Sequence, residues 1–276
     1  MILIENEALE FVRVPAGTFM MGSDKSKDTD ARDNEQPQHM VFVSEFDIGK
    51  YSITVAQFAA FVNASGYKTI AEQTSSAGIF DGKTWKEEKD VNWQHPHGPT
   101  SDVSQKQNHP VTCVTWDDAL AFCDWLSQAN GQVIELPSEA QWEKAARGLD
   151  RRIFPWGNDQ PDDMRCNFNM AVKDTTPVVH YSPSGDSPYS ACDMAGNVWE
   201  WCHDWYDEKA YENRAVSQVK NPTGPTSGTS RVVRGGSWND PHDGVRTAFR
   251  YGAAATVCNQ VLGFRVVVSS ASKRDG

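Results

Sequence analysis

The sequence predicts an α+β fold with few helices, many short strands and much irregular chain. Three segments carry capping residues at their starts and a glycine at their ends, as helices do. Most of the remaining chain alternates apolar and polar residues over short runs between glycines and prolines, which is typical of short strands and turns. No linker, low-complexity segment or internal repeat interrupts this pattern, so we expect one domain over residues 1–276.

The three helices are predicted over residues 54–66, 115–131 and 138–148. Each begins with a Ser or Thr followed three residues later by Gln or Asp. This spacing allows the two side chains to cap the first free backbone N–H groups, as Thr54 and Gln57 illustrate. The glycine at each end favours the left-handed conformation that stops a helix.

The strands are predicted on both sides of the helical segments. Residues 11–22 form a hairpin candidate with its turn at Pro15–Gly17, and residues 39–54 alternate as strands do. Residues 72–109 contain several Gly and Pro and are predicted to form a long loop insertion. Near the C-terminus, Arg231–Arg234 and Leu262–Val267 have the pattern of framework strands, whereas the stretch between them has no clear period.

Composition limits the classes of function. A net charge of −11 argues against a nucleic-acid groove or an anionic membrane surface, because neither attracts an acidic protein. No apolar run is long enough for a transmembrane helix, and the first residues lack the basic and apolar blocks of a signal peptide. The chain is therefore expected to be intracellular or to have lost its signal. The six cysteines form no Cys-x-x-Cys pair; buried free thiols are expected, with disulfides as the open alternative.

Seven stretches, taken in order, resemble the formylglycine-generating enzyme (sulfatase-modifying factor) family. They are "VPAGTFMMGS", "NHPVTCVTWDDALAFCDWL", "ELPSEAQWEKAARG", "FPWGND", "DMAGNVWEWCHDWY", "RVVRGGSW" and "LGFRVV". The likeness spans about residues 11–268. It implies an elaborated C-type lectin-like fold, which spacing alone does not predict. Sugar binding is not inferred, because the likeness to lectins concerns the shape of the fold and does not by itself imply a function.

The resemblance also implies a structural calcium ion. The family's ligands correspond here to Asp193, Gly196, Val198 and Glu200. Carboxylate and carbonyl oxygens suit a hard cation. The alternative is that Glu200 pairs with an arginine such as Arg234, Arg250 or Arg265. A second calcium site of the family is not expected, because the loop that would carry Asn167 and Asp174 is short.

The enzymes of this family oxidise a client cysteine with two active-site cysteines that bind copper and follow the Gly-Gly-Ser motif. Here no cysteine lies between Gly235 and Arg250, and Cys258 is alone and too far along the chain. Because soft-metal oxidase chemistry has no sulfur ligands here, the sequence predicts that the chain does not generate formylglycine and is not an enzyme. His95 and His97 are read as turn residues rather than as a metal clamp.

One branch of the fold family, the variable proteins of diversity-generating retroelements, resembles this C-terminal arrangement. In these proteins a hypervariable stretch lies between a Gly-Gly-Ser-Trp framework and a Gly-Phe-Arg strand, and its randomised codons cannot encode Lys, Glu, Gln, Met or Trp. The candidate variable region, residues 239–261, contains only one of these five types, Gln260. Its predicted binding residues are Asp240, His242, Asp243, Phe249, Tyr251, Val257 and Asn259.

The function predicted from the sequence is therefore a non-enzymatic, receptor-like protein that displays a diversified binding surface. A tolerant surface has to be exposed and held by a rigid scaffold, as antibody loops are. The expected partner is an unknown protein or surface ligand bound by a monomer through residues 239–261. A cell-surface or extracellular location is expected, with the cytoplasm as the alternative. The alternative function is an enzyme or accessory factor of the formylglycine-generating family that acts on an unknown substrate.

Overall fold

The computed structural model describes residues 2–4, 7–214 and 219–269, and it confirms the α+β class. The described helices are α1 (Val55–Ser65), α2 (Ile70–Thr74), α3 (Trp116–Asn130), α4 (Glu139–Arg147) and α5 (Ala210–Arg214).

The three helices predicted from their caps are present as α1, α3 and α4. At the start of α1, Thr54 Oγ1 accepts from the Gln57 backbone N at 3.2 Å, and Gln57 Oε1 accepts from the Thr54 backbone N at 3.0 Å. Gly66 ends α1 in the left-handed conformation with φ of 68°. The short helix α2 was not predicted, although Thr69 and Glu72 form the same reciprocal cap.

The described strands form several small sheets. They are β1 (Ile2–Ile4), β2 (Glu7–Leu9), β3 (Phe11–Val14), β4 (Gly17–Met21), β5 (His39–Val43), β6 (Phe46–Gly49), β7 (Ser76–Phe80), β8 (Trp85–Lys89), β9 (Ile134–Glu135), β10 (Trp199–Trp205), β11 (Val219–Lys220), β12 (Arg231–Arg234), β13 (Arg250–Ala253), β14 (Leu262–Phe264) and β15 (Val267–Ser269). One four-stranded sheet has the order β13-β12-β10-β14. The others are β3-β6-β15-β9, β11-β5-β4 and the pairs β1-β2 and β7-β8.

The hairpin predicted over residues 11–22 is wrong, because β3 and β4 belong to different sheets. β3 pairs with β6, and β4 pairs with β5. The Lys144 ammonium of α4 donates to the carbonyls of Pro15 at 2.6 Å and Gly17 at 3.0 Å, and to that of Val43 at 3.3 Å. These carbonyls therefore bind a buried cation at the corner between the two sheets instead of closing a hairpin turn.

Two other segments differ from their predicted structure. The segment predicted as a long loop over residues 72–109 contains the antiparallel hairpin β7–β8, in which Phe80 pairs with Trp85. The predicted strand Leu262–Val267 is split into β14 and β15, which lie in separate sheets. The break falls at Arg265–Val266, where the Val266 carbonyl accepts from Gly49 N at 2.8 Å.

The core combines aromatic clusters with buried ion pairs. Phe58, Phe61, Phe122 and Phe264 pack together between α1, α3 and β14. Four arginines are also fully buried, and each faces a carboxylate. The pairs are Arg234 with Glu143, Arg246 with Glu35, Arg250 with Glu139, and Arg265 with Glu200. Each pair depends on both partners, because a buried charge left without its counter-charge is strongly destabilising. Within the described residues, no helix is both long and apolar enough to span a bilayer.

Candidate functional site

A pocket with a volume of about 660 Å³ opens against the sheet β13-β12-β10-β14. Every strand of that sheet contributes to its lining, and the β7–β8 hairpin adds Phe80 and Trp85. Five of the seven binding residues predicted from the sequence line this pocket: Asp240, Phe249, Tyr251, Val257 and Asn259. The stretch after the Gly-Gly-Ser motif is therefore one wall of a concave site.

The β7–β8 hairpin is joined to the segment before β14 by direct hydrogen bonds. Gly78 N donates to the Cys258 carbonyl at 3.0 Å, and Gln260 Nε2 donates to the Phe80 carbonyl at 2.9 Å. Gln260 is buried, so this contact is sheltered from water. The hairpin is thereby fixed as a second wall of the pocket.

Aromatic rings form much of the pocket surface. The Trp199 ring lies 5.6 Å from that of Phe249 and 6.2 Å from that of Tyr251, measured between centroids. The guanidinium of Arg32 lies 4.3 Å from the centroid of the Phe249 ring. Phe249 is only 5% exposed, whereas Tyr251 is 57% exposed. The expectation that Phe249 is an exposed anchor is therefore wrong, because Trp199 and Arg32 cover its ring.

Asp240 is the carboxylate of the pocket. Its Oδ2 accepts from Ser237 N at 3.0 Å, from Trp199 Nε1 at 2.9 Å and from the Ser237 hydroxyl. Among the described residues, no donor forms a hydrogen bond to its Oδ1. Burial raises the pKa of Asp240, and the bonds from Ser237 and Trp199 oppose that rise. The group is thus a carboxylate with one oxygen held and the other available.

The Gly-Gly-Ser motif brings Ser237 under Asp240. Gly236 adopts φ of 70°, and a Cβ at this position would lie 2.5 Å from the Gly244 carbonyl oxygen. Only glycine tolerates both the left-handed backbone and this close approach. The motif is therefore required locally by the turn that positions the Ser237 donors.

His242 and Asp243 do not line the pocket. The exposed His242 lies with Nε2 3.6 Å from Asp30 Oδ2. Asp243 Oδ2 accepts from Arg32 Nη2 at 3.1 Å, which holds the arginine over Phe249. Asp243 therefore acts on the pocket through Arg32, and His242 lies outside it.

The candidate variable region is not a uniformly exposed surface. Of its 23 residues, ten are buried, including the continuous run 244–250. Within that run, Arg246 donates to both oxygens of Glu35 at 2.7 Å, and Arg250 donates to both oxygens of Glu139 at 2.6 and 2.9 Å. The expectation of a largely exposed and energetically idle stretch is wrong here, because these side chains complete buried ion pairs.

The residues that the family resemblance gave as calcium ligands do not form a free ligand set. Glu200 Oε1 accepts from Ser52 Oγ at 2.7 Å and Arg265 Nη2 at 2.8 Å, and its Oε2 accepts from Trp142 Nε1 at 2.7 Å and Arg265 Nε at 2.6 Å. These four bonds use the acceptor positions of the carboxylate. The arginine alternative thus describes Glu200, whose carboxylate offers no free acceptor position to a calcium ion.

Asp193 and Asp174 also have partners in the structure. Asp193 Oδ2 accepts from Val179 N at 3.0 Å, and burial raises the pKa of Asp193 to about 6. Asp174 is paired with Lys106 at 2.5 Å and His97 at 3.2 Å. Within the described part of the chain, no cluster of three His, Cys, Asp or Glu side chains is arranged to hold a metal.

We expect calcium chelation to leave the melting temperature unchanged and Glu200→Gln to destabilise the protein by about 2 kcal/mol. The glutamine leaves the guanidinium of Arg265 without its counter-charge, and hydrogen bonds to charged groups are worth about 1.5–3 kcal/mol. Thermal unfolding with and without EDTA measures both effects. A lower melting temperature in EDTA that Glu200→Gln abolishes would instead support a calcium site.

The six cysteines are free and buried. Burial raises the pKa of the Cys258 thiol to about 12, although Val257 and Asn259 on either side of it line the pocket. A thiol is nucleophilic as the thiolate, so a raised pKa opposes reactivity. No cysteine lines the pocket among the described residues.

Sequence reasoning missed several residues of the site. Arg32 and Phe80 are far from residues 239–261 along the chain, and no local pattern marks them. Trp199 lies in the family motif "DMAGNVWEWCHDWY", which does not mark it for a pocket. Trp85 carried a usable signal, because it stands before the charged run Lys86–Lys89 and is 48% exposed. Tryptophan is among the residue types that most often anchor a binding surface.

The fold and its pocket define an elaborated C-type lectin-like domain. Two solved structures have a similar fold: PvdO from Pseudomonas aeruginosa, with a TM-score of 0.79 and 24% identity over 96% of each chain, and Treponema denticola variable protein 1, with a TM-score of 0.72 and 20% identity over 97% of each chain. The family model described as the sulfatase-modifying factor enzyme 1-like domain matches residues 4–270. The chain belongs to this family, the one that contains the formylglycine-generating enzymes.

Two relatives illustrate the family. The formylglycine-generating enzyme of Thermomonospora curvata is 36% identical over 278 residues, covering 90% of this chain and 88% of that protein. The formylglycine-generating enzyme of Mus musculus is 36% identical over 260 residues, covering 83% of this chain. The match spans 66% of the length of the mouse protein.

The prediction that the chain is not an enzyme is contradicted by these relatives. Both are formylglycine-generating enzymes and match over most of this chain. The prediction was based on the missing cysteine pair after Ser237. The absence of these cysteines argues only against the copper-dependent oxidation. It does not argue against another reaction in the pocket.

Proposed function

We propose that the chain is an enzyme of the formylglycine-generating family that binds its substrate in the aromatic pocket and transfers a proton at Asp240. The proposal rests on the hydrogen bonding of the Asp240 carboxylate. Its Oδ2 accepts from three donors, whereas its Oδ1 accepts from none among the described residues. The relatives support an enzyme, and the pocket supports this location for the reaction.

The surroundings of Asp240 suit acid–base chemistry. Trp199 Nε1 and the two Ser237 donors fix the orientation of the carboxyl group, which aims Oδ1 independently of the substrate. Burial raises the pKa of Asp240, which favours uptake of a proton by its carboxylate. A carboxyl group held within hydrogen-bond reach of a substrate can accept a proton and return it. In the proposed step, Oδ1 takes a proton from the substrate and later returns it.

The aromatic walls supply binding and exclude water. Trp199 and Tyr251 offer ring surface on one side, and Phe80 and Trp85 of the hairpin offer it on another. A pocket lined mainly by apolar and aromatic groups with few polar groups is the usual form of a small-molecule site. The substrate is thus bound chiefly by its carbon skeleton and oriented by the polar groups near Asp240.

We expect Asp240→Asn to lower the turnover number at least about 100-fold with a smaller change in KM, because positioned proton transfer contributes at least that factor. The assay follows substrate loss by mass spectrometry. It uses a sulfatase-motif cysteine peptide, with and without copper, and a small-molecule cell extract. Asp159→Asn is the matched control, since this exposed carboxylate pairs only weakly with Arg165 at 3.3 Å. It should retain full turnover.

Cys258→Ser separates this proposal from a thiol-based reaction. Cys258 is the cysteine whose chain neighbours line the pocket, and its substitution should leave turnover unchanged. Loss of turnover in Cys258→Ser together with full turnover in Asp240→Asn would overturn the proposal. Purified protein that changes no compound in either substrate set would do the same.

A diversified binding surface is a second candidate role for the pocket rim. It is supported by the exposure of His242, Tyr251 and Val257, and it is restricted by the buried run 244–250. The test is genomic: a near-copy of the sequence encoding residues 231–267 should lie beside a reverse-transcriptase gene. A genome with no such copy contradicts this role and leaves the enzyme proposal unaffected.

A further inference from the structure

Two of the six buried cysteines lie in the same small core cluster. Cys113 and Cys258 share this cluster with four aliphatic side chains, Ala71, Ala77, Ile79 and Val91. Three other cysteines belong to three different clusters, each without a second cysteine: Cys123, Cys166 and Cys202. Within the described clusters, Cys113 and Cys258 are thus the two thiols that share one packing environment.

Main-chain contacts bring these two cysteines close together. Cys113 N donates to the carbonyl of Asn259, the residue after Cys258, at 2.9 Å. A backbone hydrogen bond between paired segments holds their Cα atoms about 5.5 Å apart, and the Cα atoms of a disulfide are usually separated by about 4.4–6.8 Å. Burial raises the pKa of the Cys113 thiol, and a charge on the nearby Cys258 adds to the rise. The two side chains are therefore near enough to influence each other's ionisation.

The Cys258 end of the pair belongs to the wall of the pocket. Val257 and Asn259, on either side of it, line the pocket, and the Cys258 carbonyl accepts from Gly78 N of the β7–β8 hairpin at 3.0 Å. Cys113 lies in the segment that leads into α3. A bond between the two sulfurs would tie this wall to the segment before α3.

We propose that Cys113 and Cys258 form a reversible disulfide under oxidising conditions and that this crosslink fixes the pocket wall at residues 257–259. The oxidant is a small-molecule disulfide of the glutathione class. Cys258 is 8% exposed and Cys113 is fully buried, so Cys258 is the cysteine that meets the oxidant first. This modification is independent of the proton transfer at Asp240.

The chemistry is two successive thiol–disulfide exchanges. The Cys258 thiolate attacks one sulfur of the oxidant and expels one small thiolate, which leaves a mixed disulfide. The Cys113 thiolate then attacks the Cys258 sulfur and expels the second small thiolate. The two cysteines lose two electrons and two protons, and the oxidant becomes two thiols. Burial raises the pKa of both protein thiols, so the exchange is slow and depends on local opening of the segment.

The test incubates the purified chain for hours at pH 8 with oxidised glutathione or with dithiothreitol and then unfolds it in an alkylating reagent. Mass spectrometry of the digest should find one disulfide in the oxidised sample, between Cys113 and Cys258, and the other four cysteines alkylated. The oxidised protein should melt at least about 4 °C above the reduced one, because a crosslink that closes a long loop stabilises the fold.

Two variants separate this pair from the other cysteines. Cys258→Ser should form no disulfide and show no rise in melting temperature on oxidation. Cys166→Ser is the matched control, since Cys166 is equally buried in another cluster, and it should keep both effects. The comparison of oxidised and reduced unchanged protein needs neither variant, so the result does not depend on how well they fold.

Several outcomes would overturn the proposal. They are six alkylated cysteines after oxidation, a disulfide between other cysteines, glutathione retained on Cys258, or equal melting temperatures. Hydrogen exchange measures the pocket wall directly, because the N–H groups of Gly78 and Cys113 donate to the carbonyls of Cys258 and Asn259. Both N–H groups should exchange more slowly in the oxidised protein. Equal exchange rates would show that the crosslink does not fix the wall.

Discussion

Arg246→Ala is expected to lower the free energy of unfolding by about 3–5 kcal/mol, although the residue lies inside the stretch that the sequence marked as variable. Its Nη1 donates to Asp28 Oδ2 at 2.8 Å and Glu35 Oε2 at 2.7 Å, and its Nη2 donates to Glu35 Oε1 at 2.7 Å. Glu35 is fully buried, so alanine would leave its charge uncompensated in the core. Urea unfolding of the two proteins measures the difference.

Val257→Ala provides the control from the same stretch. Val257 is 38% exposed and lies at the pocket, so its truncation should change the unfolding free energy by no more than about 0.5 kcal/mol. If Arg246→Ala also stays within that range, residues 244–250 tolerate substitution and the ion pair does not hold this segment. A large effect of Arg246→Ala and a small effect of Val257→Ala would show that residues 239–261 contain both a buried segment that the fold requires and exposed positions that tolerate substitution.

Asp204→Asn is expected to stabilise the protein by about 2–4 kcal/mol at pH 8 and to have little effect near pH 4. Asp204 is buried beside Glu139, whose backbone N donates to Oδ2 at 3.0 Å, while Oδ1 has no hydrogen-bond partner among the described residues. Burial raises the pKa of Asp204 from 3.8 to about 7, and the charge of Glu139 adds to the rise. The folded protein therefore favours the protonated acid.

The direction of the pH dependence follows from that shift. A carboxyl group whose pKa is higher in the folded state contributes its full stability below about pH 4 and loses that contribution as the pH rises through about 7. Asparagine stays neutral over this pH range, so the variant keeps this contribution to stability. Melting temperatures of both proteins between pH 4 and pH 8 give the comparison. Curves that remain parallel over this range would contradict the raised pKa.

The parts of the fold that depend on local chemistry were predictable from the sequence. The helices α1, α3 and α4 begin at caps that need only residues three positions apart. The hairpin over residues 11–22 was not predictable in this way. Its two strands separate because Lys144, on a helix more than 120 residues later, binds the carbonyls between them. Contacts between residues that are far apart in the sequence help to determine which strands pair. A short stretch of sequence does not contain this information.

The candidate site was predictable on one wall only. Residues 239–261 were marked by their lack of period between two framework strands, and five of the seven chosen residues line the pocket. Alternation within a strand gave no information on what covers each face, so the burial of Phe249 by Arg32 and Trp199 was missed. The opposite wall, with Phe80 and Trp85, comes from a hairpin about 160 residues earlier in the sequence.

The attachment of the β7–β8 hairpin has an evolutionary consequence. The hairpin meets the lectin-like body at Gly78 and Phe80 through bonds to Cys258 and Gln260, while the far strand, β8, pairs only with β7 among the described strands. Insertions or deletions near its tip, at residues 81–84, would alter the mouth of the pocket without entering the four-stranded sheet. Variation in this one short segment can therefore reshape the entrance of the pocket while the four-stranded sheet beneath it stays unchanged.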